Sequence, residues 1–294
     1  MQRRVAFLGL GVMGYAMAGW LSKRGYAVVV YNRTHAVSQR WLRDYFGEAA
    51  ATVAEAVAGA EIVFTCLGND DDVRAVVAGE TGALAAMSSG SVLVDHTTTS
   101  ALVARELAEQ AASLGLGFID APVSGGQQGA ENGQLTVMCG GQQDQFDAVK
   151  DVIESYAKSL QLMGDVGSGQ LCKMVNQICI AGVVQGLAEG LNFAKRAGLD
   201  AHQVVEVISK GAAQSWQMEN RYQTMLANDY EHGFAVQWMR KDLAFALEEA
   251  KANGSDLPLT QLVDGFYQQV QEMGGNRWDT SSLLARLEYD RSKA

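Results

Sequence analysis

Residues 4–21 read RVAFLGLGVMGYAMAGWL. A short apolar run stops at Gly9, Gly11 and Gly14 follow, and residues 13–23 continue with helical spacing of apolar side chains. This is a strand entering a helix through a glycine turn, and each glycine has its own physical use. Gly9 permits the tight turn, Gly11 lacks the Cβ that would keep a pyrophosphate off the backbone, and Gly14 lets helix and strand pack closely. The first helical turn then offers unpaired N–H groups and a partial positive charge to an anion. The turn formed by Gly9, Leu10, Gly11, Val12, Met13 and Gly14 is therefore expected to bind a dinucleotide. A close-packed turn without a ligand is the alternative.

From this turn the alternation continues. Apolar runs at 27–31, 62–67, 92–95 and 117–121 are separated by helical stretches, among them 36–46 and 102–113. Continuous apolar strands between amphipathic helices imply a parallel sheet covered on both faces. Residues 135–139 are a candidate further strand. Beyond Gly164 the pattern is helical only, with helices expected at 171–196, 201–209, 235–251, 260–272 and 281–288. The expected class is α/β: a doubly wound Rossmann-type domain over 1–163, then an all-helical domain over 164–294, joined near the glycine-rich MGDVGSG.

The second strand ends in YNRT, residues 31–34. An acidic group at this distance from the turn would accept from a ribose 2′-hydroxyl and repel a 2′-phosphate. Arg33 would instead attract a 2′-phosphate, with Asn32 and Thr34 as further donors. NADP(H) is thus expected to be preferred, with NAD(H) as the alternative; an ordinary surface turn with Arg33 solvated is the plain reading.

The 294 residues are 48% hydrophobic and 19% charged, enough for two cored domains. The net charge of −10 argues against a nucleic-acid surface, although a local positive pocket for a small anion remains compatible with it. The cysteines form no CxxC pair and the histidines no HExxH motif, so reduced thiols and no metal are expected. No secretory signal pattern opens the chain and no run of about 20 apolar residues suggests a membrane span, which points to a cytoplasmic protein.

Two motifs remain. DAPVSGG (120–126) follows the fifth apolar run, and Ser124, Gly125 and Gly126 offer a hydroxyl and unhindered N–H groups to a carboxylate, or form a plain glycine turn. GSGQLCKMVNQ (167–177) opens the long helix with Lys173 and Asn176 on one face, able to polarise one oxygen or simply solvated.

With these motifs in hand, the chain resembles the β-hydroxyacid dehydrogenases, also called the 3-hydroxyisobutyrate dehydrogenase family, over essentially its whole length. The resemblance rests on FLGLGVMGYAMA (7–18), DAPVSGGQQGA (120–130), GSGQLCKMVNQ (167–177) and RKDLAFAL (240–247), in the family's order and spacing. It implies that Lys173 is the catalytic lysine with Asn176 beside it, and that Ser124, Gly125 and Gly126 bind the substrate carboxylate. It further implies that Lys241 closes over cofactor and substrate, that Leu67 and Gly68 line the cofactor and that Thr98 lies near the nicotinamide ribose. Phe234 and Trp216 are implied to help form the substrate pocket. Relatives of this kind are dimers or tetramers, so a homodimer or homotetramer is expected. The sequence departs from the family pattern at Trp20-Leu21, at Gly68 where a proline is common, and at Gln177 where a second asparagine is common.

The implied reaction is hydride transfer between NADP(H) and a small carboxylate-bearing β-hydroxy acid, semialdehyde or 2-oxo acid, with Lys173 as general acid and base. An imine reductase of the same architecture usually lacks the lysine, and a non-catalytic NADP-binding protein would be expected to have lost it. A decarboxylating phosphogluconate-type dehydrogenase normally has a longer helical half.

Overall fold

The computed structural model describes residues 3–289. The chain divides into two compact units, Met1–Lys173 and Met174–Ala294.

In the first unit, β1 (Arg4–Leu8), β2 (Ala27–Tyr31), β3 (Glu48–Ala49), β4 (Ile62–Thr65), β5 (Val92–Asp95) and β6 (Gly117–Asp120) form one sheet in the order β3-β2-β1-β4-β5-β6. All five pairings are parallel. The crossovers are α1 (Val12–Lys23), α2 (His35–Asp44), α3 (Val53–Val57), α4 (Asp70–Val77), α5 (Ala83–Ala86) and α6 (Ala101–Ser113). Successive strand residues point to opposite faces. Val5, Phe7, Val28, Val30, Ile62 and Phe64 therefore join Met17 and Leu21 of α1 and Trp41 of α2 in one core. Ala6, Leu8, Val29, Val63 and Leu93 join Val73 and Val77 of α4 and Leu107 of α6 in the other. Burial on both faces is why these strands read as unbroken apolar runs, each large side chain contributing about 1.5–3 kcal/mol.

The sixth strand of this sheet is the two-residue β3, too short to show as an apolar run. The stretch at 135–139 is a strand, but of a separate sheet. There β7 (Val123–Ser124), β8 (Leu135–Cys139) and β9 (Ala157–Leu162) lie in that order, β7 antiparallel and β9 parallel to β8. Around it run α7 (Gly126–Glu131) and α8 (Gln143–Ile153). β9 has no counterpart among the expected strands, because its residues AKSLQL are partly or fully exposed throughout.

The second unit is helical: α9 (Ser168–Arg196) continues into it from the first, followed by α10 (Ala201–Ile208), α11 (Trp216–Leu226), α12 (Val236–Asn253), α13 (Pro258–Glu272), a 3₁₀ turn (Thr280–Ser282) and α14 (Leu283–Glu288). Its core gathers Ala181, Val184, Ala188 and Leu191 of α9, Met239 and Leu243 of α12, Val263 and Tyr267 of α13, and Leu283 and Leu284. By length and composition alone α9 is long and apolar enough to cross a membrane, and it contributes Ala181, Val184, Ala188 and Leu191 to the core of this unit. The unexpected helix is α11, whose WQMENRYQTML buries only Met218 and Met225. Ser215 caps it by accepting from Met218 N–H at 3.1 Å.

Candidate active site

Because all six strands of the main sheet run the same way, the segments after β1, β2, β4, β5 and β6 emerge along one edge. Ligands of such sheets bind outside the carboxyl ends, where the strand order reverses, here between β1 and β4. The expected cofactor residues Gly9–Gly14, Asn32–Thr34, Leu67, Gly68 and Thr98 all lie on this edge, and the fold brings them together.

The three glycines divide the work as their spacing suggests. Gly9 has φ +98°, and a Cβ there would run into the Cys66 carbonyl oxygen. A Cβ on Gly14 would meet the Gly9 carbonyl oxygen and lie 2.9 Å from Phe7 Cε1. Gly11 is different: it is exposed, it is the N-cap of α1, and nothing stands within 4 Å of a Cβ built on it. Packing explains two glycines, and open approach to the backbone is what the third leaves. The turn thus fits a dinucleotide pyrophosphate.

Asn32 holds this turn in shape. Its Oδ1 accepts from Leu10 N–H at 3.0 Å, and its Nδ2 donates to the Thr34 carbonyl at 3.1 Å. Its amide therefore serves the loop itself. Arg33 points outward with its side chain 90% exposed, its guanidinium 3.9 Å from Asp72. Thr34 is the N-cap residue of α2 and its side chain makes no cap bond.

The next segments are tied laterally. Thr97 Oγ1 accepts from Leu67 N–H at 2.9 Å, and Asp95 Oδ1 accepts from Thr65 Oγ1 at 2.7 Å and from Thr97 N–H at 3.0 Å. His96 is buried, with Nδ1 2.6 Å from the Ala121 carbonyl and Nε2 2.8 Å from Tyr156 Oη. A carbonyl only accepts, so Nδ1 carries the proton and Nε2 accepts from the tyrosine. Burial pushes its pKa down to about 4. This imidazole is a neutral structural strut.

Lys173 lies one turn into α9 and is only 7% exposed, so the solvated-face alternative does not hold. The first turn of α9 is fixed by a residue at the end of β6. Asp120, fully buried, accepts from Gly167 N–H at 2.7 Å through Oδ1 and from Gln170 N–H at 2.9 Å through Oδ2. Burial pushes this carboxyl up to about 6, against the two N–H groups that pull it down. The approach needs Gly169, where a Cβ would lie 2.8 Å from Asp120 Oδ2. Gln170, also fully buried, accepts from Thr99 N–H at 3.1 Å and donates to the Thr97 carbonyl at 2.8 Å. Asp120 and Gln170 stood inside the quoted motifs, but helix and strand spacing gave no reason to single them out.

Ser124 pairs with Thr136 at the end of the small sheet. Gly125 and Gly126 follow with φ +129° and +60°, a conformation that side chains rarely adopt, and open α7. Trp20, flagged as a departure, donates from Nε1 to the Ala130 carbonyl at 3.0 Å and so ties α1 to α7.

In the second unit, Asn176 donates to Gln177 Oε1 at 2.8 Å, and Gln177 donates to Asp242 Oδ2 at 2.7 Å. Lys241 Nζ lies 3.4 Å from Asp242 Oδ1. The departure at Gln177 thus supplies a side chain that reaches Asp242, a residue the sequence reading did not single out. Phe234 is half-buried, its N–H donating at 2.9 Å to Asp279. Trp216 is partly exposed beneath the Arg221 guanidinium, 4.9 Å from its ring centroid.

A parallel sheet of this order with such a turn defines a Rossmann-type dinucleotide-binding unit, and comparison with known proteins says which kind. Residues 4–164 match the family described as the NAD binding domain of 6-phosphogluconate dehydrogenase. Residues 167–287 match that described as NAD-binding of NADP-dependent 3-hydroxyisobutyrate dehydrogenase. An uncharacterized oxidoreductase of Shewanella frigidimarina is 64% identical over 98% of this chain and 99% of its own. The 2-hydroxy-3-oxopropionate reductase of Escherichia coli is 32% identical over 97% of each. The structure of Mycobacterium tuberculosis 3-hydroxyisobutyrate dehydrogenase with L-serine superposes with a TM-score of 0.87 at 29% identity, covering 98% of this chain and 100% of that one. The chain belongs to the β-hydroxyacid dehydrogenase family and is an NAD(P)-dependent oxidoreductase acting on hydroxy acids.

Proposed function

We propose that the protein interconverts a small carboxylate-bearing β-hydroxy acid with its semialdehyde, or reduces a related 2-oxo acid, with NADP(H) preferred over NAD(H) and Lys173 as general acid and base. The observation that carries this reading is a buried lysine on a helix whose first turn is pinned to the dinucleotide-binding edge of the sheet. The nicotinamide, when bound, supplies or accepts the hydride. The turn at Gly9–Gly14 holds the pyrophosphate, with Leu67, Gly68 and Thr98 along the rest of the cofactor. Lys173 as ammonium donates a proton to the carbonyl oxygen during reduction, and as amine takes it back during oxidation. Asn176 orients the lysine or the same oxygen. Ser124, Gly125 and Gly126 hold the carboxylate, which places the reacting carbon. Lys241 keeps the role over both cofactor and substrate, and Phe234 the substrate role, that the family pattern gives them. L-serine in the mycobacterial relative and the reductase activity named for the Escherichia coli relative both support a small β-hydroxy acid or its aldehyde. Arg33, exposed at the end of β2, supports NADP(H).

The domain roles follow: 1–163 for cofactor, 164–294 for substrate and oligomerisation. A cytoplasmic homodimer or homotetramer is proposed with them. Val183 and Phe193 of α9 and Leu259 and Leu262 of α13 are exposed apolar groups that support self-association, to be measured as molar mass by light scattering. The catalytic reading is tested by following NADPH and NADH consumption with glyoxylate, tartronate semialdehyde, succinic semialdehyde and methylmalonate semialdehyde. Turnover of at least one with NADPH preferred is expected. Cofactor binding without any turnover would overturn it.

A further inference from the structure

Gln170 links separate segments of the carboxyl edge through both its backbone and its side chain. Its backbone N–H is taken by Asp120 on β6, and its side chain reaches 71 and 73 residues back in sequence to Thr99 and Thr97. Thr97 in turn holds Leu67 through its hydroxyl. One buried amide thus joins the first turn of α9 to the loop after β5, and through Thr97 to the loop after β4. The contact needs a donor and an acceptor side by side: Thr99 presents an N–H and Thr97 a carbonyl, and an uncharged carboxamide matches both in one plane. Lys173 follows Gln170 by three residues, one turn along the same face.

We propose that Gln170 is a positioning residue that sets the reach of Lys173 relative to the 97–99 loop. This rests on the reading of Lys173 as the proton donor. Asp120 fixes where α9 starts, and Gln170 fixes how the helix is rotated and how far it stands from the loop. Without the amide, the helix start keeps its cap but loses the tie that holds its inner face against the loop. A lysine displaced by about 1 Å from its productive position lowers turnover by up to about a hundredfold while ground-state cofactor binding survives.

The test is a double-mutant cycle in the full-length chain with NADPH and whichever semialdehyde is reduced fastest. Gln170→Met keeps the volume and removes both bonds. It is expected to lower kcat by about 10- to 100-fold with the Kd of NADPH within about threefold. Gln170→Asn, one methylene shorter and able to satisfy only one partner, is expected to fall between and serves if the methionine variant does not fold. In a Lys173→Ala background the same changes should alter the residual rate by less than about twofold, because their effect runs through the lysine. Amide hydrogen exchange at Thr99 should accelerate in Gln170→Met with no substrate present. Wild-type kcat in Gln170→Met, or an undiminished effect in the Lys173→Ala background, overturns the positioning role. Loss of activity in Lys173→Ala beside a normal Gln170→Met removes only this inference, whereas an active Lys173→Ala removes the reading beneath it as well.

Discussion

Replacing Gly11 by Ala separates packing from ligand approach. Gly11 caps α1 with φ −66° and ψ −172°, open to any residue, and no atom lies within 4 Å of the added Cβ. The loss of glycine's advantage over alanine at an N-cap, about 1 kcal/mol or less, is offset by about 0.4–1 kcal/mol from a stiffer unfolded chain. Stability should therefore change by less than about 1 kcal/mol, or a Tm shift of about 2–4 °C at most. Dinucleotide binding should suffer far more. A methyl group on the approach path displaces a phosphate from at least one N–H bond to a charged acceptor, about 1.5–3 kcal/mol, which is about 10- to 150-fold in Kd. The assay is NADPH fluorescence titration beside thermal unfolding. Gly14→Ala is the contrast: its Cβ meets the Gly9 carbonyl and Phe7, so overpacking of about 1–3 kcal/mol should lower Tm as well. A Gly11→Ala protein that binds NADPH within threefold of wild type would refute the role given to this turn.

Arg33→Ala should raise the KM for NADPH by about 10- to 100-fold and leave that for NADH within about threefold, since a charge-assisted pair is lost only with the 2′-phosphate. Equal effects on both cofactors would count against the role proposed for Arg33. His96, held down to about 4 from 6.5, binds a proton in the unfolded but not the folded chain between those values, so stability is lost as pH falls through that window, by about 3 kcal/mol. Asp120, held up to about 6 from 3.8, does the opposite, binding its proton first in the folded chain, and so adds stability over the same fall by a similar amount. The two largely cancel in the wild type. In His96→Gln only the carboxyl remains, so the stability gap between wild type and variant in urea unfolding should narrow by about 3 kcal/mol from pH 7 to pH 4. A gap that does not change with pH would contradict a neutral buried imidazole.

How much of this was legible in the sequence follows from the range of the forces involved. The glycine turn, five of the six strands of the main sheet and the helical second half are local patterns: backbone freedom at Gly9, apolar runs and helical periodicity each act within a few residues. β3 and β9 were not legible because an edge strand of two residues, and one that stays partly exposed, carry little apolar signal. α11 was missed because its outward residues are polar and its inward ones few. At the candidate site, the carboxyl-edge position of the residues expected to bind the cofactor follows from the sheet order alone. The Asp120 cap and the Gln170 tie do not, because each joins residues 47 to 73 positions apart and exists only once β5, β6 and α9 are side by side. Asn32 shows the converse: it lies on the expected edge of the sheet, and its amide serves the turn.

The central claim is that Lys173 handles the proton. It is tested most directly by the NADPH-dependent turnover of Lys173→Ala against wild type on the best semialdehyde, with NADPH binding measured on the same samples. The account predicts a loss of at least about a hundredfold in kcat with the Kd for NADPH retained. Turnover near the wild-type rate would contradict it.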